Sequence, residues 1–136
     1  MAQTITKSAM SMVEAAKREI EEIPAADALQ LVGRNDVVLV DIRDIRELAR
    51  DGKVPGAVHA PRGMLEFWID PDSPYFKPVF GQDKKYVFFC AGGLRSALAA
   101  KTAQDMGMTP VAHILGGFGA WKKAGGPVES GEQNKT

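Results

Sequence analysis

The sequence predicts one α/β domain built on a mainly parallel sheet. Three observations carry this. Val37–Val40 and Tyr86–Phe89 are short continuous apolar runs, and Val111–Leu115 is a further short run interrupted only by His113, the mark of strands buried on both faces. Segments with helical spacing separate them, and that alternation favours parallel pairing. A chain of 136 residues has room for one core. In such sheets ligands bind beyond the carboxyl ends of the strands. Asp41, Cys90 and Leu115-Gly116-Gly117 all fall there.

Residues 1–8 read as a loose leader, 9–128 as the domain and 129–136 as a disordered polar tail. Ser11-Met12-Val13-Glu14 has the capping-box pattern, and Met10, Val13, Ala16, Ile20 and Ile23 recur at helical spacing. They predict an amphipathic helix over about residues 9–21, covering the core or a partner face, with an edge strand over Ile20–Ile23 as the alternative for its end. Pro24–Asp27 starts a second helix that Gly33 ends. Ile45–Arg50 reads as a short helix or turn, and Lys53–Ala57 as a turn into the brief strand Val58–Ala60. Residues 62–82 are too apolar for a loose linker, and Pro71, Pro74 and Pro78 break any long helix. A helix follows Ser96, with Gly107 closing it, and Phe118–Lys123 forms the last one.

Lys plus Arg and Asp plus Glu number 17 each, giving zero net charge, so no nucleic-acid footprint or polybasic membrane patch is expected. A single cysteine excludes an internal disulfide framework and a cysteine-rich zinc site. Lys7, Glu14, Lys17 and Arg18 interrupt any secretory signal, and no stretch is long enough to span a bilayer. The expectation is a cytoplasmic protein, monomeric or homodimeric.

Cys90 ends a buried strand and precedes a glycine loop, Ala91-Gly92-Gly93-Leu94-Arg95, with Ser96 at a helix start. Unpaired N–H groups at a helix N-terminus, a loop curled into an anion nest and the Arg95 cation each favour a thiolate, the nucleophilic form. The alternative is a small buried hydrophobe. The two glycines argue for close backbone approach to something.

Four segments in order carry a resemblance. Val40-Asp41-Ile42-Arg43 with Glu47, Gly52–Ala57 with Pro61, Cys90–Ser96, and Leu115–Trp121 with Gly126-Pro127-Val128 resemble the motifs of the rhodanese family across roughly residues 20–128. The resemblance implies a five-stranded parallel sheet flanked by helices and a single-domain sulfurtransferase. Cys90 would take a sulfane sulfur from thiosulfate or another persulfide, hold it as a persulfide, and pass it to cyanide or a thiol, with no metal or organic cofactor. Phosphatase relatives place five residues between cysteine and arginine; here four separate Cys90 from Arg95, a poor fit for phosphate. Two positions depart from the pattern: Ala91 stands where an arginine is usual, and Lys53 where a histidine is.

Ala91, Gly92, Gly93, Leu94, Arg95 and Ser96 are thus the expected anion-binding loop. Arg95 is expected to buttress it, with a surface arginine as the alternative. Asp41 and Arg43 are read as supporting residues behind the loop. Ser96 is read as a helix cap, with direct contact to sulfur as the alternative. His59 and His113 are read as satisfied core or edge histidines, and Trp121 as core. Met64, Phe67, Trp68 and Phe76 are candidate pocket-wall residues for a bulkier or protein-bound acceptor. Ala91 and this apolar segment motivate a second reading, a sulfur-relay or sensing module persulfidated by a protein partner.

Overall fold

The apolar runs form the centre of the sheet in the computed structural model, which describes residues 2–131. The strands are β1 (Glu21–Ile23), β2 (Val37–Asp41), β3 (Val58–His59), β4 (Lys85–Phe89) and β5 (Val111–Ile114). All pair in parallel, in the order β1-β5-β4-β2-β3. Val40 lies opposite Phe88, and Phe88 opposite His113.

Both faces are covered, which explains why the central strands carry no polar alternation. Val38, Val40, Tyr86, Phe88 and Val111 face one layer, with Val13, Ala16 and the alanines of the long cysteine-side helix. Leu39, Val87, Phe89, Ala112 and Ile114 face the other, with Ala28, Phe118 and Trp121. The helices are α1 (Ala9–Lys17), α2 (Ala25–Ala28), α3 (Ile45–Asp51), α4 (Leu65–Ile69), α5 (Leu94–Asp105) and α6 (Gly117–Lys123). Helices α1 and α4 pack against α5, and α2 packs against α6.

The N-terminal helix is shorter than its spacing suggests. It ends at Lys17, and Glu21–Ile23 pair with β5 as the edge strand. Ser8, not Ser11, is its cap: the Ser8 hydroxyl accepts the Ser11 N–H at 3.0 Å. The capping box of the fold is instead Asp44 with Glu47, opening α3. Past the domain's expected end, Glu129 pairs with Lys53 through two backbone bonds of 2.9 Å. The rest of the polar tail, from residue 132, lies outside the described residues, as does Met1.

Strand β2 has β3 on one side and β4 on the other, so successive connections diverge around it. The crevice beyond the carboxyl ends of β2 and β4 is therefore the expected ligand site.

Candidate active site

Cys90 directly follows β4 and is 1% exposed. Its sulfur receives the Gly93 N–H at 3.1 Å and the Ser96 N–H at 3.4 Å. Gly93 caps α5 and Ser96 lies in its first turn; neither amide has a helical partner, and the positive end of a twelve-residue helix lies at the thiol. Ser96 is therefore not the cap. Gly93 holds that position, at φ 99°, and Ser96 sits inside the first turn, fully buried, with its hydroxyl 3.6 Å from the sulfur.

The loop is clamped from below by the turn into α6. Phe118 N–H donates to the Cys90 carbonyl at 2.8 Å, and Gly119 N–H to Ala91 at 3.0 Å. A Cβ on Gly117 (φ 63°) would lie 2.5 Å from the Cys90 carbonyl oxygen. A Cβ on Gly93 would lie 3.2 Å from Gly116 N. The close approach implied by the two loop glycines is thus between two backbone turns, and it falls on Gly93. Gly92 has open space around it. Ala91, Gly92 and Leu94 are exposed.

Arg95 is half-exposed and bonds Glu47 with both terminal nitrogens, at 2.9 and 3.0 Å. It ties the loop to α3. The Arg95 guanidinium holds the Glu47 carboxyl down at about 2.

Asp41 and Arg43 form a buried pair, each side chain 1% exposed. Arg43 Nε donates to Asp41 Oδ1 at 3.0 Å and Nη2 donates to Oδ2 at 2.8 Å; Nη2 also reaches the Gly52 carbonyl at 2.9 Å. The guanidinium carbon lies 4.1 Å from the centre of the Phe118 ring. Phe118 in turn donates its backbone N–H to Cys90, so the pair stands directly behind the loop. His59 Nε2 donates to the Arg43 carbonyl at 2.7 Å.

The reading of His113 as a satisfied core or edge histidine leaves its partners unnamed. The residue is fully buried, and its partners are specific: Nδ1 lies 2.8 Å from Ser96 Oγ, and Nε2 lies 2.9 Å from Glu22 Oε2. Burial pushes the His113 imidazole below its ordinary value, against the pull of Glu22. No sequence motif links residues so far apart. The one available signal was a histidine inside an apolar strand that needs polar partners.

The aromatic segment is dispersed. Trp68 packs against the core with Lys77 over its ring, and Phe67 is exposed, edge-on to Tyr75. Phe76 lies against Gly81, and Met64 closes a 3-10 turn before α4. A cavity of about 490 Å³ lies at the other end of the sheet, lined by residues including Phe80, Tyr86 and Met108; none of these four borders it. Among the described residues, no group of three or more His, Cys, Asp and Glu could hold a metal ion. No helix among them is long and apolar enough to cross a membrane.

The rhodanese-like domain family matches residues 24–124. The chain belongs to that family. A sulfurtransferase of Allochromatium vinosum is 30% identical over 83% of this chain and 98% of its own. The mouse thiosulfate sulfurtransferase/rhodanese-like domain-containing protein 3 is 30% identical over 67% of this chain; the match spans 61% of the mouse protein. Among solved structures, a Rhodopseudomonas palustris protein of unknown function, described as a possible tyrosine phosphatase, is 65% identical with a TM-score of 0.92, covering 95% of this chain and 99% of that one. Among the described residues the rhodanese-like domain is a five-stranded parallel sheet flanked by helices, as the resemblance implied.

Proposed function

We propose that this rhodanese-like protein is a sulfurtransferase with Cys90 as nucleophile and sulfur carrier. The observation that carries it is the pair of backbone N–H groups on the Cys90 sulfur at the start of α5. They favour a negative sulfur over a neutral one. The Cys90 thiolate attacks the sulfane sulfur of thiosulfate. A new S–S bond forms, the old one breaks, and sulfite leaves with the bonding pair. An acceptor, cyanide or a thiolate, then takes the terminal sulfur and returns the Cys90 thiolate. The two half-reactions give ping-pong kinetics.

A protein-borne persulfide is the second donor class, favoured by one feature of the site mouth. Ala91 brings no charge there, Arg95 is already paired with Glu47, and Leu94 and Leu115 are exposed at 49% and 40%. Such a rim suits a docked protein better than a small dianion. The four-residue spacing between Cys90 and Arg95 disfavours phosphate transfer.

Intact-protein mass spectrometry after brief exposure to thiosulfate tests the reading, with Cys90→Ser as control. The expected result is a gain of one sulfur atom, absent in the variant and reversed by cyanide. No adduct on reduced Cys90 would remove thiosulfate and leave the protein persulfide as donor. Phosphate release from an aryl phosphate by the native chain but not by Cys90→Ser would overturn the sulfurtransferase assignment.

A further inference from the structure

We propose that the proton leaving Cys90 is kept inside the protein, on His113, with the Ser96 hydroxyl as the carrier and Glu22 as the counter-charge. This makes His113 and Glu22 positioning residues that act on Cys90 through Ser96. It rests on the thiolate chemistry proposed above.

The hydrogen-bond directions force the coupling. Glu22 presents a carboxylate, which only accepts, so His113 Nε2 carries the hydrogen between them. In a neutral imidazole Nδ1 is then an acceptor, and it must receive the Ser96 hydroxyl hydrogen. Ser96 therefore turns its lone pairs to the sulfur, and with Cys90 as a thiol the S–H points at Ser96 Oγ. Every group in the chain is satisfied. A thiolate breaks this arrangement, because negative sulfur would face oxygen lone pairs. Rotating the one Ser96 hydrogen toward sulfur leaves His113 Nδ1 without a donor in a buried site. Moving one proton resolves both. The S–H bond breaks and its electron pair stays on sulfur. Ser96 gains that proton and gives its own to Nδ1. The imidazolium N–H then donates to Ser96 Oγ, freeing a hydroxyl hydrogen for sulfur.

The surrounding charges define the test. His113 faces Glu22 of β1, and Lys17 of α1 stands 3.5 Å from that carboxylate. Its β4 neighbour, Phe88, is uncharged. On the Cys90 side the charges are Arg95 and, behind it, Glu47.

Glu22→Gln is the informative variant, because the amide oxygen still accepts from Nε2 while the charge is lost. Coulomb attraction alone says that removing a nearby negative charge favours the thiolate. The proton transfer requires the opposite, because the imidazolium loses its counter-charge. The measurement is the pH profile of iodoacetamide alkylation of Cys90, with circular dichroism to establish folding. The expected result is a midpoint raised by about one pH unit, or roughly tenfold less thiolate below the midpoint. In a Ser96→Ala background the same substitution should no longer raise it. A midpoint that stays or falls with Glu22→Gln would overturn the proposal, as would the same rise without Ser96. Alkylation uses no sulfur donor. An upward shift together with no thiosulfate adduct would therefore retain the coupling and remove only the donor.

Discussion

Arg95 and Glu47 meet as two flat ends, Nη1 to Oε2 at 2.9 Å and Nη2 to Oε1 at 3.0 Å, across 48 residues of sequence. The pair links the first turn of α5 to the first turn of α3. It thereby fixes the Cys90 loop to the element that follows β2. Such a two-point contact gives orientation as well as attraction.

The pair should show in acid. Arg95 lowers the Glu47 carboxyl from an ordinary 4.5 to about 2. A carboxyl more acidic when folded than when unfolded contributes stability above the unfolded value and loses it as pH falls through the folded one. The contribution is therefore complete above about 4.5 and fades toward about 2. Thermal melts across that window should decline less steeply in Glu47→Gln. Parallel profiles for the two proteins would show that the contact does not couple to folding.

The loop glycines should separate by place. Gly117→Ala sets a Cβ 2.5 Å from the Cys90 carbonyl oxygen in a left-handed backbone, so either the turn or the loop must move. A cost of about 1–3 kcal/mol and a disturbed thiol are expected. Gly92→Ala meets open space and should change stability by less than about 0.5 kcal/mol. Urea unfolding compares them. Equal losses would show that backbone crowding at Gly117 is not what the turn requires.

The contrast shows what the chain discloses before folding. The central strands were legible because each run is buried on both faces; the Gly92-Gly93 pair signalled a close approach without saying which of the two makes it, and Gly117 was legible only as part of a turn. The reading of Asp41 and Arg43 as supporting residues behind the loop rests on the family resemblance. The end of α1 was not decided, because Ile20 and Ile23 suit a helix face or a buried edge strand equally well. Ser96 looked like a cap, since serine at a helix start usually is one; Gly93 takes that place with a left-handed backbone. The Ser96–His113–Glu22 chain was illegible because it is made by strand order: only the placement of β5 between β1 and β4 brings those three residues together.

The buried Asp41–Arg43 pair should be intolerant of losing one charge. Asp41→Asn leaves a guanidinium with a neutral partner in a site about 1% exposed. Breaking a buried pair from one side costs about 3–5 kcal/mol. Arg43→Lys keeps the charge but cannot span Asp41 and Gly52 together while lying flat on Phe118. Both variants should unfold at lower urea. A loss under about 1 kcal/mol in Asp41→Asn would show that the pair is not what holds the backing of the loop.

His113 should mark the pH dependence of folding on its own side of neutrality. With Cys90 as a thiol, burial holds the imidazole below the ordinary 6.5, so the unfolded chain takes up an added proton first as pH falls. Stability present above about 6.5 should therefore be lost below it, before the Glu47 window opens. His113→Asn, which cannot be protonated, should flatten that stretch of the profile whatever its effect at pH 8. A slope that survives the substitution would assign the effect to another group.

The position after the nucleophile offers a gain rather than a loss. Ala91 is exposed at the mouth of the loop, and the nearby guanidinium of Arg95 is engaged by Glu47. Ala91→Arg adds an uncommitted cation without displacing any buried group. Thiosulfate carries two negative charges, so the added cation should act chiefly on capture. The expected change is a fall in KM for thiosulfate of about three- to tenfold with kcat nearly unchanged. Salt supplies the control: between about 0.01 and 0.15 M ionic strength the Debye length shrinks from roughly 30 to 8 Å, and the advantage should shrink with it. A persulfide delivered by a docked protein gains little from one extra charge. If Ala91→Arg leaves thiosulfate capture unchanged at low salt, the mouth of the loop is not where that anion is selected, and the apolar rim formed by Leu94 and Leu115 becomes the better guide to the donor.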